Sequence, residues 1–498
     1  MKLFIFARLM LTLFVLFISF LVFDFAPVGA AKRFIEPLAG NFTNHQAAAS
    51  VLGQPNFTTN TAGSTASKLN QPENAIVDPV SKKLFVVELQ NNRVVRFSSA
   101  AALTTGAAAE AVLGQPDFAT TTVGITQSKM SNPADISVDA AGRLWVADYN
   151  NNRVLRFDNA ASKASGANAD GVLGQTDFIT RTTGAGANKM WSPASVFADS
   201  SGRLWVADIN NNRVLRFDNA AAKANGANAD AVLGQTDFAT VTSGAGANKM
   251  NNPAGVALDT GGRLYVADAN NNRVLRFDAA ATRANGANAD AVFGQPDFAT
   301  VTSGTTQSKL KLPQGVATDA NNRLYVADLS NSRVLIFNNA GTAANGAPAS
   351  VVLGQPDFTT GTANTGGVSA MSLSNPVSMS FDESSSSLFV ADYGNNRVLR
   401  FSAASPTAAS VSISGRVLTD KGRGLANAMV YLTNSEGNTL SAKTNPFGYY
   451  HFEDVQAGQT VVVTVVSKRF QYSPQILNLT EEVTQLDFIA EEQMKIFR

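Results

Sequence analysis

Arg263-Leu-Tyr-Val-Ala-Asp-Ala-Asn-Asn-Asn-Arg-Val-Leu-Arg-Phe277 is the stretch that decides the fold of this chain of 498 residues. Both halves are rich in β-forming residues, and the asparagines between them tolerate the left-handed backbone of a tight turn. The stretch therefore predicts an antiparallel hairpin. It recurs six times, mostly at intervals of 60 residues, and each copy carries the same arginine after the turn: Arg93, Arg153, Arg213, Arg273, Arg333 and Arg397. A period of this length predicts one supersecondary unit per copy.

Two further strands flank the hairpin in each unit, as the copy from Asn252 to Phe298 illustrates. A short strand is predicted from Pro253 to Asp259 and a fourth strand between Ala289 and Phe298. The intervening Asp278–Asn288 segment reads as a helical turn, with an aspartate cap and a glycine near its end. A second marker, Gly-Gln-Pro/Thr-Asp/Asn-Phe, follows each fourth strand and begins at Gly53, Gly114, Gly174, Gly234, Gly294 and Gly354.

Six units of four antiparallel strands without long helices predict a six-bladed β-propeller in an all-β protein. The chain begins with a fourth-strand segment, Ala49 to Phe57, and the repeats end with only three strands, Pro376 to Phe401. We therefore expect the N-terminal strand to complete the last blade. That arrangement would join the two ends and cover the strand edges that an open ring exposes.

The repeated Leu-Trp/Tyr-Val-Ala-Asp followed by Asn-Asn-Arg-Val-Leu-Arg-Phe resembles the NHL repeat, a family that builds six-bladed propellers. The resemblance covers residues 47–402 and recurs six times in register. It departs from the family at the namesake histidine, which is a turn position, so the fold prediction is retained. The residues at this position are Asn92, Asn152, Asn212, Asn272, Ser332 and Asn396.

A second domain follows the propeller. Residues 403–410 are rich in Ala, Ser, Pro and Thr, which predicts a linker. Residues 411–492 show short alternating strands broken by glycines, which predicts a small β-sandwich, and residues 493–498 form a tail. Ser414-Gly-Arg-Val417 and Gly448-Tyr-Tyr-His-Phe452 resemble the carboxypeptidase regulatory-like, transthyretin-like domain. The resemblance implies a non-catalytic accessory module.

The first 30 residues predict a secretory signal. Lys2 and Arg8 precede an apolar run from Leu9 to Phe23, and Val28-Gly-Ala30 offers small residues for cleavage. Residues 31–46 form a short N-terminal segment before the propeller. We expect an exported protein that is secreted, periplasmic or at the cell surface. The alternative is an uncleaved membrane anchor, although the run is short for a spanning helix.

Composition excludes several classes of chemistry. The chain has no cysteine, so it has no disulfide framework and no thiolate metal site. The formal net charge is +1, which argues against nucleic acid as a partner. His45 and His451 are the only histidines, and neither lies in a repeat. The usual zinc sites and histidine-based triads are therefore excluded from the ring.

Charged residues that recur in every copy are expected to serve the fold. The second strand ends in an acid (Glu88 or an aspartate such as Asp148), and a ring of carboxylates could hold calcium. Regularity favours the other interpretation, in which each acid caps its turn or pairs with a nearby arginine. The second arginine of the motif, such as Arg156, is replaced by Ile336 in one copy, which also indicates local pairing.

Residues that vary between copies are better candidates for ligand contacts. In a propeller, the turns between second and third strands share a face with the loops that enter the first strands. Trp191 stands in one such loop where other copies have smaller polar residues. Exposed aromatic residues on a loop face suit peptide or glycan binding, and packing between loops is the alternative. The varying turn residues are Leu89, Tyr149, Ile209, Leu329 and Tyr393, with Ala269 in the remaining copy.

Two polar residues interrupt the first strands, which line the channel of a propeller. Asn74 and Asp135 occupy equivalent positions that read Ser or Gly in the other copies. They form a candidate axial calcium site of the kind that the resemblance to lactonase-like propellers implies, and solvated channel lining is the alternative. No other cofactor is predicted.

We favour an exported, non-catalytic binding or scaffold protein whose loop face binds a protein, peptide or glycan. The first alternative is a calcium-dependent lactonase-like or lyase-like enzyme. The second is a purely structural component of the cell surface. Contact with a membrane is expected only through an uncleaved N-terminal segment.

Overall fold

The computed structural model of the protein describes residues 41–491, except 101–102, 404–409, 435–438, 457–459 and 480. The predicted signal, most of the segment 31–46, most of the linker and the tail lie outside the described residues. Within the described ranges, no helix is both long enough and apolar enough to cross a membrane.

The first three blades are four-stranded antiparallel sheets in chain order. Blade 1 contains β2 (Pro72–Val77), β3 (Leu84–Glu88), β4 (Arg93–Phe97) and β5 (Ala111–Leu113). Blade 2 contains β6 (Pro133–Val138), β7 (Leu144–Asp148), β8 (Arg153–Phe157) and β9 (Gly171–Leu173). Blade 3 contains β10 (Pro193–Ala198), β11 (Leu204–Asp208), β12 (Arg213–Phe217) and β13 (Ala231–Leu233).

The remaining blades follow the same order, except that the fourth strand of the last blade comes from the N-terminal end of the repeats. Blade 4 contains β14 (Pro253–Leu258), β15 (Leu264–Asp268), β16 (Arg273–Phe277) and β17 (Ala291–Phe293). Blade 5 contains β18 (Pro313–Thr318), β19 (Leu324–Asp328), β20 (Arg333–Phe337) and β21 (Val351–Leu353). Blade 6 contains β22 (Pro376–Asp382), β23 (Ser387–Asp392), β24 (Arg397–Ser402) and β1 (Ser50–Leu52). The predicted all-β, six-bladed propeller is confirmed.

Short 3-10 helices replace the predicted tight turns between second and third strands in blades 2 to 6, and 3-10 helices also occur where helical turns were predicted after the third strands. The asparagine or serine after each turn helix has the left-handed backbone expected from the sequence, for example Asn272 at φ 51° and Ser332 at φ 49°. One set joins the second and third strands: Tyr149–Asn151, Ile209–Asn211, Ala269–Asn271, Leu329–Asn331 and Tyr393–Asn395. The other set follows the third strands: Ala160–Ser162, Ala220–Ala222, Ala280–Thr282 and Ala340–Thr342.

The N-terminal strand closes the ring, as predicted. β1 pairs antiparallel with β24, and Val51 lies opposite Leu399. Beyond the strand, the side chain of Gln54 donates a hydrogen bond to the carbonyl of Asn396 at 2.9 Å. The guanidinium of Arg397 donates to the carbonyl of Phe57 at 2.6 Å. Blade 6 is therefore completed by residues from both ends of the repeat array.

The arginine that begins each third strand forms a buried ion pair with the acid that ends the second strand. In blade 2, Arg153 Nε lies 2.7 Å from Asp148 Oδ2, and both side chains are fully buried. The same guanidinium donates to the carbonyls of Phe178, Thr126 and Lys129 at 2.6–2.9 Å, which ties two successive loops together. Local pairing of the repeated acids is therefore confirmed. The equivalent pairs are Arg93–Glu88, Arg213–Asp208, Arg273–Asp268, Arg333–Asp328 and Arg397–Asp392.

The second arginine of the motif links neighbouring blades near the outer edge. Arg156 pairs with Asp158 at 2.9 Å and donates to the carbonyl of Ala221 in the next blade. Ile336 replaces this arginine in blade 5 and joins an apolar cluster that includes Ala403. The charge is thus dispensable where an apolar neighbour is available.

The C-terminal domain contains two β-sheets around its own apolar core, as the sandwich prediction requires. The first sheet has the order β28-β25-β31 and the second β27-β26-β29-β30. The strands are β25 (Ser410–Leu418), β26 (Met429–Asn434), β27 (Thr439–Lys443), β28 (Tyr449–Gln456), β29 (Thr460–Val466), β30 (Gln475–Asn478) and β31 (Phe488–Ile489).

Candidate functional site

A cavity of about 510 Å³, which we call the mouth cavity, opens where the turns between second and third strands surround the start of the first strands. Leu89, Tyr149 and Ile209 contribute side chains from the turns of three consecutive blades. Asn132 and Asn150 add amides at the side, where Asn150 Nδ2 donates to Asn132 Oδ1 at 2.6 Å. The wall therefore combines apolar side chains with a few polar groups, as small-ligand sites commonly do.

The first strands supply the deeper part of this cavity. Each begins with a proline and then shows a break in register with its neighbour, so that the residue after the proline has no partner in the ladder. Such bulges redirect side chains. All six residues at this position line the mouth cavity: Glu73, Ala134, Ala194, Ala254, Gln314 and Val377.

The next residue of each first strand forms the floor. A Cβ atom on Gly255 would lie 2.3 Å from the carbonyl oxygen of Gln314, and one on Gly315 would lie 2.5 Å from Ser378 Oγ. These strands therefore approach too closely for any side chain, which explains the two glycines. A second cavity of about 500 Å³ lies beyond the floor, since Asp135, Ser195 and Ser378 line both.

Asn74 and Asp135, the predicted axial pair, meet in this floor. Asn74 Nδ2 donates to Asp135 Oδ1 at 2.7 Å, and the backbone amide of Ile136 donates to the same oxygen at 2.8 Å. Asp135 Oδ2 accepts hydrogen bonds from Ser195 Oγ at 2.6 Å and from the backbone amide of Val196 at 2.9 Å. Both side chains are buried within this network.

Four hydrogen bonds occupy the oxygens that Asp135 would offer to a cation. The side-chain oxygen of Asn74 is also engaged, because it accepts from the backbone amide of Ala75 at 2.8 Å. Calcium binding at Asp135 would compete with its four hydrogen bonds. Among the residues that the structure describes, no group of three or more His, Cys, Asp or Glu side chains has the arrangement of a metal site. The calcium site at Asn74 and Asp135 stays a prediction.

Glu73 is the residue of this cavity that the sequence analysis did not select. Its side chain lines the mouth cavity and the residue is only 8% exposed. Among the described residues, none donates a hydrogen bond to its carboxyl group. A signal was available, because the copies read Glu, Ala, Ala, Ala, Gln and Val at this position. Asn74 and Asp135, which were predicted, occupy the following position of their strands.

Burial dominates the protonation of the two acids at the cavity. Loss of solvent raises the pKa of Glu73 to about 8, and the nearby negative charge of Asp135 adds to this. Burial also raises the pKa of Asp135 to about 6, although its hydrogen bonds from Ser195, Val196 and Asn74 oppose the change. Burial raises the pKa of Tyr393, and the negative charge of an ionised Glu73 adds to this.

The six predicted turn and loop residues fall into two groups. Leu89, Tyr149 and Ile209 are brought together in the mouth cavity. Leu329 and Tyr393 are half-buried in their turns and do not line it. Trp191 is 45% exposed outside the cavity, and its backbone amide donates to Asp208 Oδ1 at 2.7 Å. Whether any of them contacts a ligand stays a prediction.

Comparison with known proteins agrees with the architecture. NHL repeats match residues 130–157, 250–277 and 310–337, and a carboxypeptidase regulatory-like domain matches residues 412–490. The chain is thus an NHL-repeat propeller that carries a carboxypeptidase regulatory-like domain at its C-terminus.

Individual relatives are distant. NHL repeat-containing protein 3 from Mus musculus is 31% identical over 110 residues, which is 22% of this chain and 27% of that protein. The chain thus matches about a quarter of the length of this curated relative. A solved structure of a protein of unknown function from Bacteroides thetaiotaomicron is 13% identical with a TM-score of 0.46, and covers 72% of this chain and 75% of its own. A streptogramin B lyase structure is 13% identical with a TM-score of 0.39, covering 69% of this chain and 95% of its own.

Proposed function

We propose that the protein is an exported binding or scaffold protein whose mouth cavity receives part of a protein, peptide or glycan ligand. The observation that carries this proposal is that Leu89, Tyr149 and Ile209 converge on one cavity. These are the positions at which the blades differ, whereas the charged residues common to the blades pair with one another. NHL repeats generally mediate protein interactions, which supports the same class of function.

The size and chemistry of the mouth cavity suit a side chain or a sugar ring better than a large cofactor. Aromatic and aliphatic walls contribute contact area, and the amides of Asn132 and Asn150 offer hydrogen bonds that orient a ligand. Nearby exposed residues such as Trp191 would extend the contact beyond the cavity. The C-terminal domain would then act as a spacer or an anchor.

A peptide array and a glycan array probed with the full chain test this proposal. We expect the double variant Tyr149→Ala, Ile209→Ala to lose at least tenfold in affinity for the bound probes, because two walls of the cavity are removed. The matched control is Tyr449→Ala, Ile489→Ala, since these residues are 51% and 63% exposed in the C-terminal domain. If binding survives the cavity variant and is lost in the control variant, the ligand site lies in the C-terminal domain, which would contradict the proposal.

Export belongs to the same proposal. Its support is the charged start, the apolar run from Leu9 to Phe23 and the small residues at Val28-Gly-Ala30. Mass spectrometry of the protein recovered outside the cytoplasm should find a new N-terminus near residue 31. Recovery of the intact chain from the cytoplasm alone would contradict export.

A further inference from the structure

Glu73 presents an unusual combination of burial and missing partners. It is more than nine-tenths buried, it faces the mouth cavity, and no described residue donates a hydrogen bond to its carboxyl group. The other buried acids of the propeller illustrate the difference, because Asp148 pairs with Arg153 and Asp135 accepts four hydrogen bonds. The carboxyl group of Glu73 lines the cavity without a described hydrogen-bond donor, so a ligand that supplies a donor there gains affinity.

The charge around Glu73 determines which kind of partner fits. The only ionisable acids that line the mouth cavity are Glu73 and Asp135, and none of its described lining residues is a lysine, an arginine or a histidine. Burial raises the pKa of Glu73 to about 8, so its carboxyl group is largely protonated at neutral pH in the empty cavity, and the described wall offers no positive charge that would ionise it. An anion would meet no positive group, and a neutral group would leave Glu73 protonated. A cation would lower the pKa of Glu73 and pair with the resulting carboxylate.

The walls above Glu73 suit the rest of a long cationic side chain. Leu89, Ile209 and Val377 are aliphatic, and Tyr149 adds an aromatic ring, which attracts cations. Lysine and arginine carry an apolar stem below a charged head, and they bury the stem along such surfaces. A cavity of about 510 Å³ has room for a stem of this kind with its head at the carboxyl group of Glu73.

We propose that the mouth cavity binds a cationic side chain, lysine or arginine, of a peptide or protein ligand, with Glu73 as its ion-pair partner. This inference rests on the proposed binding function and specifies the ligand. A peptide source is favoured over a glycan because most sugars are neutral or anionic and supply no positive charge to pair with the carboxylate of Glu73.

Peptides bound on the array test the inference directly. We expect each of them to contain a lysine or an arginine, and replacement of that residue should weaken binding at least tenfold. Norleucine is the neutral replacement for lysine and citrulline for arginine, so the two arms separate an ammonium ligand from a guanidinium ligand. Glu73→Gln should cause a similar loss in the protein, because it keeps the shape and removes the charge.

Glu383→Gln is the matched control. Glu383 is a glutamate of the propeller that is exposed, lines the second cavity beyond the floor and accepts a hydrogen bond from the amide of Ala320 at 2.7 Å. We expect this variant to bind as the wild type does, and the midpoint of thermal unfolding should confirm that both variants are folded.

Each other outcome has a defined meaning. An equal loss in Glu73→Gln and Glu383→Gln would indicate general electrostatic attraction and overturn the inference. Bound peptides without a cation that still depend on Tyr149 would overturn it while leaving the proposed binding function in place. An array with no bound peptide would overturn both the inference and the peptide form of that function.

Discussion

Each of the six arginines that begin a third strand is fully buried and is paired with the acid at the end of the second strand. The guanidinium of Arg153 also donates hydrogen bonds to three loop carbonyls. Both its charge and these donors therefore have partners within the fold. Glu73 is the opposite case, since it occurs in one blade only and none of the described residues donates a hydrogen bond to its carboxyl group. Charged residues that occur in every blade are therefore structural here, whereas a charged residue that occurs in one blade belongs to the candidate site.

Arg153 and Arg156 provide a matched pair for testing this distinction. We expect Arg153→Met to cost roughly 3–5 kcal/mol of unfolding free energy, because the buried charge of Asp148 would lose its partner. Arg156→Ile should cost at most about 2 kcal/mol, since Asp158 is partly exposed and one blade already carries isoleucine. Urea unfolding of both variants measures the difference. Equal losses of unfolding free energy in the two variants would contradict the structural role assigned to the Arg153–Asp148 pair.

At the scale of elements, the short strand β1 has an effect beyond its three residues. It covers the edge of β24 and precedes Gln54 and Phe57, which bond to the last blade. Without it, the backbone groups of β24 would form an exposed edge, and such edges pair with other chains. The closure therefore protects the ring as well as completing blade 6.

Val51→Asp should open the ring. Val51 is fully buried, and a charge at this position would cost more than about 3 kcal/mol without a partner. Val80→Asp is the control, since Val80 is 63% exposed and should tolerate the charge within about 0.5 kcal/mol. We expect faster proteolysis and larger species in size-exclusion chromatography with light scattering only for the first variant. A compact, resistant Val51→Asp protein would show that the strand is not needed for closure.

For the whole molecule, the apolar cores lie between blades rather than within them. Six clusters each combine residues of two neighbouring blades, such as Trp145 with Leu204 and Trp205 with Leu264. No blade has a separate core of its own among the described residues, so we expect the ring to unfold cooperatively. The C-terminal domain has a seventh cluster, which contains residues of that domain alone.

Calorimetry of the full chain should therefore show two transitions. Val463→Asp places a charge in the core of the C-terminal domain, where Val463 is fully buried. We expect it to lower the midpoint of the C-terminal domain's transition or to abolish that transition. The propeller transition should stay within a few degrees of its original midpoint. A shift of both transitions together would contradict independent cores.

Much of the fold could be predicted because its signals are local and repeated six times. The hairpin around Asn272, the acid–arginine pairing of Asp148 with Arg153 and the closing strand near Val51 all follow from residue type and spacing. Only part of the candidate site could be predicted in this way. Variation among copies identified Leu89, Tyr149 and Ile209, but Trp191 and Leu329, selected by the same reasoning, do not line the cavity.

The sequence by itself determined the number of blades, the order of the strands, the closure by the N-terminus and the presence of a second β domain. Each of these depends on periodicity and local backbone preference. Only the tertiary structure decided that Asn74 and Asp135 bond to each other and that Glu73 faces a cavity without a hydrogen-bond donor among the described residues. Those facts depend on distances between separate blades near the axis, and such distances are fixed by how the blades pack.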